Sequence, residues 1–189
     1  VTSHSAWRTY PVSYKIEGSK EQFILTLSTE ILYSSTCPAS AALSRHLIQD
    51  NFRNQNSDQS GLYSVEQILA FLGSSHGIIA TPHAQRSRAQ VEVKLDFRNW
   101  SNWNHFRLID LVEEALKTPV QTIVKREDEQ EFARLNAANL MFCEDAARRV
   151  QRELGSYPEL IDFGGKVSHE ESLHPHNAVA YFKRGHSNA

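Results

Sequence analysis

Cysteine is scarce in this chain of 189 residues: there are two, Cys37 and Cys143. One lies where an alternating pattern gives way to a helical one and the other inside a helical pattern, which argues against a disulfide framework. A reducing, cytoplasmic setting is the expectation. No Cys-x-x-Cys pair occurs, so the usual signature of a structural zinc site is missing. No apolar run approaches the length of a bilayer span, and no signal-peptide pattern is visible. Charge of neither sign dominates: 20 Lys and Arg stand against 22 Asp and Glu, for a formal net charge of −2. The longest basic cluster is Lys125-Arg126, so neither nucleic acid nor a membrane surface is expected as a partner, and any bound polyanion should be small. Internal repeats and low-complexity tracts are also absent. The single methionine is Met141 and the chain opens at Val1, so a truncated or processed remainder of a longer protein is expected.

What is present suits a globular α+β protein, with 40% hydrophobic and 22% charged residues. Phe23 to Tyr33 alternates, with Phe23, Leu25, Leu27, Ile31 and Tyr33 on one face, and Tyr10 to Ile16 precedes it at hairpin distance across Gly18-Ser19. Ser40 to Phe52 reads as helix and Asn51 to Gly61 as loop. Ser64 and Gln67 have capping-box spacing ahead of a second helix that Gly73 would end. Gln90 to Arg98 alternates again. A helix follows the Trp- and Asn-rich loop 99–104 and is expected to stop at Pro119. A short strand is predicted over Val120 to Val124, then helices over Asp128–Asn136 and Leu140–Leu154. Closing strands are predicted over Tyr157–Phe163, Lys166–Ser168 and His176–Phe182. Strands in hairpin-like runs separated by helix pairs favour an antiparallel sheet with helices packed on one face.

Chemistry concentrates at a few points. Pro38 suits the first position of a helix, which puts Cys37 at the N-cap, where unpaired N–H groups and the helix dipole favour a thiolate. Cys143 lies on an apolar stripe and reads as core. His83 sits in a turn dense in donors and acceptors. His174 and His176 flank Pro175 at a strand entrance. Glu129 belongs to a charge run, and Glu144 borders the stripe of the last helix. His4, His46, His76, His105 and His186 lack patterned neighbours and read as surface residues. A thiol, imidazoles and carboxylates dispersed over distant segments suit an open divalent-metal site of the hydrolytic kind.

Five segments together resemble the type IB GTP cyclohydrolases: Ser34-Ser35-Thr36-Cys37-Pro38-Ala39-Ser40, Thr81-Pro82-His83-Ala84-Gln85-Arg86-Ser87, Lys125-Arg126-Glu127-Asp128-Glu129, Phe142-Cys143-Glu144-Asp145 and His174-Pro175-His176-Asn177-Ala178. The resemblance covers roughly Trp7 to Phe182. It implies a tunnelling fold, in which residues 1–189 form a single catalytic region and sheets from several subunits close a barrel. It also implies a homotetramer with active sites at subunit interfaces. The implied reaction converts GTP and water to formate and 7,8-dihydroneopterin triphosphate, for folate and deazaguanine synthesis. The implied cofactor is one divalent ion, zinc, manganese or iron, on Cys37, His83 and Glu129. Glu144 matches the residue that anchors the guanine edge, and His174 or His176 the one that moves protons. Arg86, Ser87, Lys125 and Arg126 are the candidate triphosphate contacts.

Two departures stand out. Ala39 replaces the second thiol of the family's Cys-Pro-Cys-Ser, and a sheet-forming segment expected ahead of Val1 is missing. Two other readings stay open: a purine- or pterin-binding subunit without turnover, and a thiol-nucleophile nitrile reductase of the same fold. The Glu-Ser-Lys-Ser type motif expected of the latter is not seen.

Overall fold

Alternation in the sequence becomes a five-stranded sheet in the order β1 (Val12–Gly18), β2 (Phe23–Thr36), β3 (Ala84–Asp96), β4 (Leu160–His169) and β5 (Ala178–Lys183). This computed structural model describes residues 6–19, 22–57 and 61–185, with the side chains of Asn99 and Trp100 left aside. β1 pairs antiparallel with β2 (Tyr14 opposite Leu27), β3 with β4 (Val91 opposite Gly165) and β4 with β5 (Val167 opposite Ala180). Side-chain bonds from Ser35 to Ser87, from Gln90 to Glu30 and from Ser28 to Glu92 run oppositely along β2 and β3, so that pair is antiparallel as well. The α+β class with helices beside an antiparallel sheet agrees with the sequence reading.

The backbone falls into two compact units, residues 36–84 and the remainder. No shift in composition announces either boundary.

The larger unit holds the sheet, α3 (His105–Leu116), α4 (Arg126–Ala138) and α5 (Cys143–Gly155). The smaller holds α1 (Pro38–Gln55) and α2 (Val65–Leu72).

One face of the sheet is apolar. Leu25, Leu27, Ile31 and Tyr33 of β2 and Val91, Val93 and Leu95 of β3 are buried with Leu108, Val112 and Leu116 of α3 and Ala146, Ala147, Val150 and Leu154 of α5. At about 25 cal/mol per Å² of apolar surface, this cluster dominates the stability of the larger unit. Cys143 belongs to it, 3% exposed, as its place on the helix stripe predicted. The opposite face carries Glu30, Gln90, Glu92 and Lys94 around a groove. In the smaller unit Phe52 packs edge-on against Tyr63 and Phe71, and Asn51 Nδ2 donates to the carbonyls of His76 and Gly77.

Several elements depart from expectation. The strands predicted over Tyr157–Phe163 and Lys166–Ser168 are one strand, β4, which runs unbroken through Gly164-Gly165. A Cβ on Gly165 would lie 2.2 Å from the Gln90 carbonyl oxygen and 2.6 Å from the Phe182 ring, so the glycine marks a close approach inside a strand. The strand predicted over Val120–Val124 does not form; a lone bridge joins Pro119 to Tyr33. Thr118 O accepts from Ser34 N and Val120 N donates to Leu32 O, and the chain then leaves the sheet. α3 is stopped by Lys117, in the left-handed conformation at φ 70°, rather than by Pro119. α1 runs to Gln55, beyond the predicted Phe52. The α2 capping box forms as read: Ser64 Oγ accepts from Gln67 N and Gln67 Oε1 from Ser64 N. No helix among the described residues is long and apolar enough to cross a membrane.

Candidate functional site

The smaller unit brings two of the predicted metal ligands together at its root. Cys37 is the N-cap of α1 with Pro38 following, and its Sγ accepts from Ser40 N at 3.5 Å. Ser40 Oγ in turn accepts from His83 N at 3.0 Å, while Cys37 N donates to His83 O at 3.4 Å. Ser40 therefore touches both candidates, and the two ends of the unit are clasped through it. Cys37 and His83 are half-buried and Ala39 is exposed.

The other candidates stand in the larger unit. Glu129, Lys125 and Arg126 are exposed at the start of α4, where the acidic first turn of Glu127, Asp128 and Glu129 complements the helix dipole. Lys125 N donates to Asp128 Oδ2 at 3.0 Å, which fixes that helix start. Glu144 is exposed in the first turn of α5, whose N-cap N–H, on Phe142, donates to Asp145 Oδ2 at 3.1 Å. His174 and His176 are exposed in the loop between β4 and β5, their rings stacked at 5.2 Å and 12°. Arg86 is exposed near the start of β3.

Ser87 is the exception. It is fully buried, with Oγ 2.8 Å from Ser35 Oγ, because β3 alternation turns it to the covered face between Gln85 and Ala89. Its hydroxyl therefore meets Ser35 on that face, while Arg86 stands on the exposed one. Neither unit by itself gathers three His, Cys, Asp or Glu side chains about one point among the described residues. The donor types nevertheless fit a borderline divalent ion, since the residues that would supply a thiol and an imidazole, Cys37 and His83, are already joined through Ser40 and their backbones.

Of the expected surface histidines, His46 and His76 are exposed and His105 is half-buried beside the Tyr14 hydroxyl; His4 and His186 lie outside the described residues. No sequence pattern marks the remaining histidine, His169, which is 3% exposed. Its Nε2 shares a 2.8 Å hydrogen bond with the buried Tyr33 hydroxyl. Burial pushes the imidazole down to about 4, against a smaller upward pull from Glu144. Burial also pushes the Tyr33 phenol and the Cys143 thiol up. Cys143 Sγ lies 3.3 Å from the carbonyls of Val167 and Ala178, which ties the start of α5 to β4 and β5. Sequence patterning missed Ser40, Gln85 and His169 as single residues, although the first two lie inside segments already singled out.

Fold and side chains together define a class: an α+β protein with an antiparallel sheet, a cysteine and a histidine clasped through a serine in one unit, and carboxylates, imidazoles and cations displayed by the other. Comparison with known proteins makes this particular. The family model described as type I GTP cyclohydrolase folE2 matches residues 1–180, and the chain belongs to that family. It is 53% identical over 179 residues to the GTP cyclohydrolase FolE2 of Hydrogenovibrio crunogenus, covering 95% of this chain and 56% of that protein. It is 50% identical over 184 residues to the FolE2 of Bdellovibrio bacteriovorus, covering 97% and 59%. With the FolE2 of Pseudoalteromonas translucida it shares 46% over 187 residues, covering 98% and 60%. The chain thus spans somewhat under two thirds of the length of the curated relatives it matches.

Proposed function

We propose that the protein to which this chain belongs is a GTP cyclohydrolase, converting GTP and water to 7,8-dihydroneopterin triphosphate and formate, at the entry to folate and deazaguanine synthesis. The observation that carries the reading is the clasp of Cys37 and His83 through Ser40, in a chain whose relatives are named for this activity. Cys37, His83 and Glu129 would hold one divalent ion, zinc, manganese or iron. Such an ion, when bound, supplies hydroxide near neutral pH for attack at C8 of the guanine.

The remaining steps fall to this chain's side chains. Glu144 accepts two N–H donors of the guanine edge and fixes the base. His174, with His176 stacked against it, moves protons as the ring opens, C8 leaves as formate and the ring recloses. Arg86, Lys125 and Arg126 meet the triphosphate as charge-assisted donors. Ala39 leaves the thiolate of Cys37 without a neighbouring sulfur, and three ligands suffice for an open site. The sheet edges β1 and β5 would pair with other copies to close a tunnelling barrel, as a homotetramer with interface active sites in the cytoplasm.

Neither alternative gains support. The relatives are named for cyclohydrolase activity, not for nitrile reduction or for binding alone. The test is formate release from GTP by the full-length protein, with neopterin fluorescence after oxidation, before and after chelation and in Cys37→Ala. Turnover and a bound ion are expected in the wild type and neither in the variant. Full activity in Cys37→Ala would overturn the thiolate–metal reading.

A further inference from the structure

Gln85 opens the inward-facing alternation of β3 and is 7% exposed. Its Nε2 donates to Glu171 Oε1 at 3.0 Å. An ionised carboxylate only accepts, so chemistry settles the amide orientation: the nitrogen faces Glu171 and the carbonyl oxygen faces away. That oxygen is buried and accepts no hydrogen bond among the described residues. Native proteins keep few such acceptors, because each retains its desolvation cost unmet. A donor belongs there.

Gln85 adjoins the loop that carries two of the candidate residues. Glu171 N donates to Asn177 Oδ1 at 3.2 Å and Glu170 N to Arg86 O at 3.1 Å. The loop that carries His174 and His176 is thereby tied to the start of β3, and Gln85 is the side chain that braces it. In sequence Gln85 stands between His83 and Arg86, one candidate for the metal and one for the phosphates.

The geometry points to Gln85 as a substrate-contact residue whose Oε1 accepts from a sugar hydroxyl of the nucleotide, an inference that rests on the cyclohydrolase reading above. GTP offers few donors. The guanine N1–H and amino group are matched to the carboxylate of Glu144, and the ionised triphosphate presents acceptors only. The 2′- and 3′-hydroxyls remain, and a neutral amide oxygen suits either.

The experiment uses the full-length holoenzyme and measures inhibition of GTP turnover by 2′-deoxyGTP and by 3′-deoxyGTP, in wild type and in Gln85→Met. Removing the acceptor should weaken about 5- to 10-fold the one inhibitor that still carries the contacted hydroxyl, and should leave the other within about twofold. The exchanged pair Gln85→Glu with Glu171→Gln keeps an acceptor at position 85 and a donor opposite, and should restore the wild-type pattern. Gln85→Asn withdraws the acceptor by one methylene and gives the same readout where Gln85→Met does not fold. Equal weakening of both inhibitors, as a merely structural role would give, overturns the proposal. No change in either, as when water alone meets Oε1, overturns it too. Failure of wild type to release formate from GTP would instead remove the cyclohydrolase reading.

Discussion

Acid should weaken the larger unit through one histidine. His169 is held neutral by burial, at about 4 against an ordinary value of 6.5. Tyr33 occupies its Nε2, and Glu144, the charged group that acts on it, pulls only weakly the other way. Below 6.5 the unfolded chain takes up a proton at this position that the folded chain refuses. Stability is therefore unaffected by this group above about pH 6.5, falls as pH drops toward about 4, and is level again below. The gap between 6.5 and about 4, at about 1.4 kcal/mol per pH unit, makes this a loss on the order of 3 kcal/mol. Urea unfolding of the full-length protein at fixed concentration, from pH 7.5 to 4.5, measures it. His169→Gln keeps a polar partner for Tyr33 but cannot titrate. Whatever its own cost, its stability should fall less steeply over that window, by up to about 1.4 kcal/mol per pH unit. Identical slopes in the two proteins would refute the reasoning.

Other perturbations bear on the clasp and the sheet. Ser40→Ala removes the hydroxyl that holds His83 N, and should cost roughly tenfold in divalent-ion affinity, read by metal titration with the fold intact by circular dichroism. Ala39→Cys restores a second thiol and should leave formate release within about twofold; a large gain would show that one sulfur is not enough. Gly165→Ala drives a methyl into the Gln90 carbonyl and the Phe182 ring, and should cost about 1–3 kcal/mol, with a melting temperature lowered by about 2–4 °C per kcal/mol.

Strong periodic signals are legible where burial and periodicity agree. Leu25 to Tyr33 and Val91 to Leu95 alternate because one face meets α3 and α5, and Cys143 sits with Val150 and Leu154 on one helical stripe. The Ser64 and Gln67 box was legible because its bonds are local. Local signals mislead where distant contacts override them. Gly164-Gly165 looks like a break, yet the sheet needs bare backbone there for Phe182. Val120 to Val124 has strand composition, but after Pro119 no strand among the described residues receives it. Lys117 takes a conformation that no local pattern marks. In the site, Cys37 and His83 were marked by their turns, whereas the place of Ser40 between them depends on contact across the whole smaller unit. His169 was invisible because its partner Tyr33 lies far away in sequence.

The Ser40 clasp also bears on how the family can vary. Because Cys37 N meets His83 O at the root of the smaller unit, everything between them is a closed excursion whose ends are already joined. Doubling such an excursion adds only about 0.6 kcal/mol of closure entropy. Length can therefore drift within residues 41–82, through α1, the turn after it and α2, without separating Cys37 from His83. Evolution has at this point a segment to lengthen, shorten or decorate at small cost, while the two residues at its mouth stay in step.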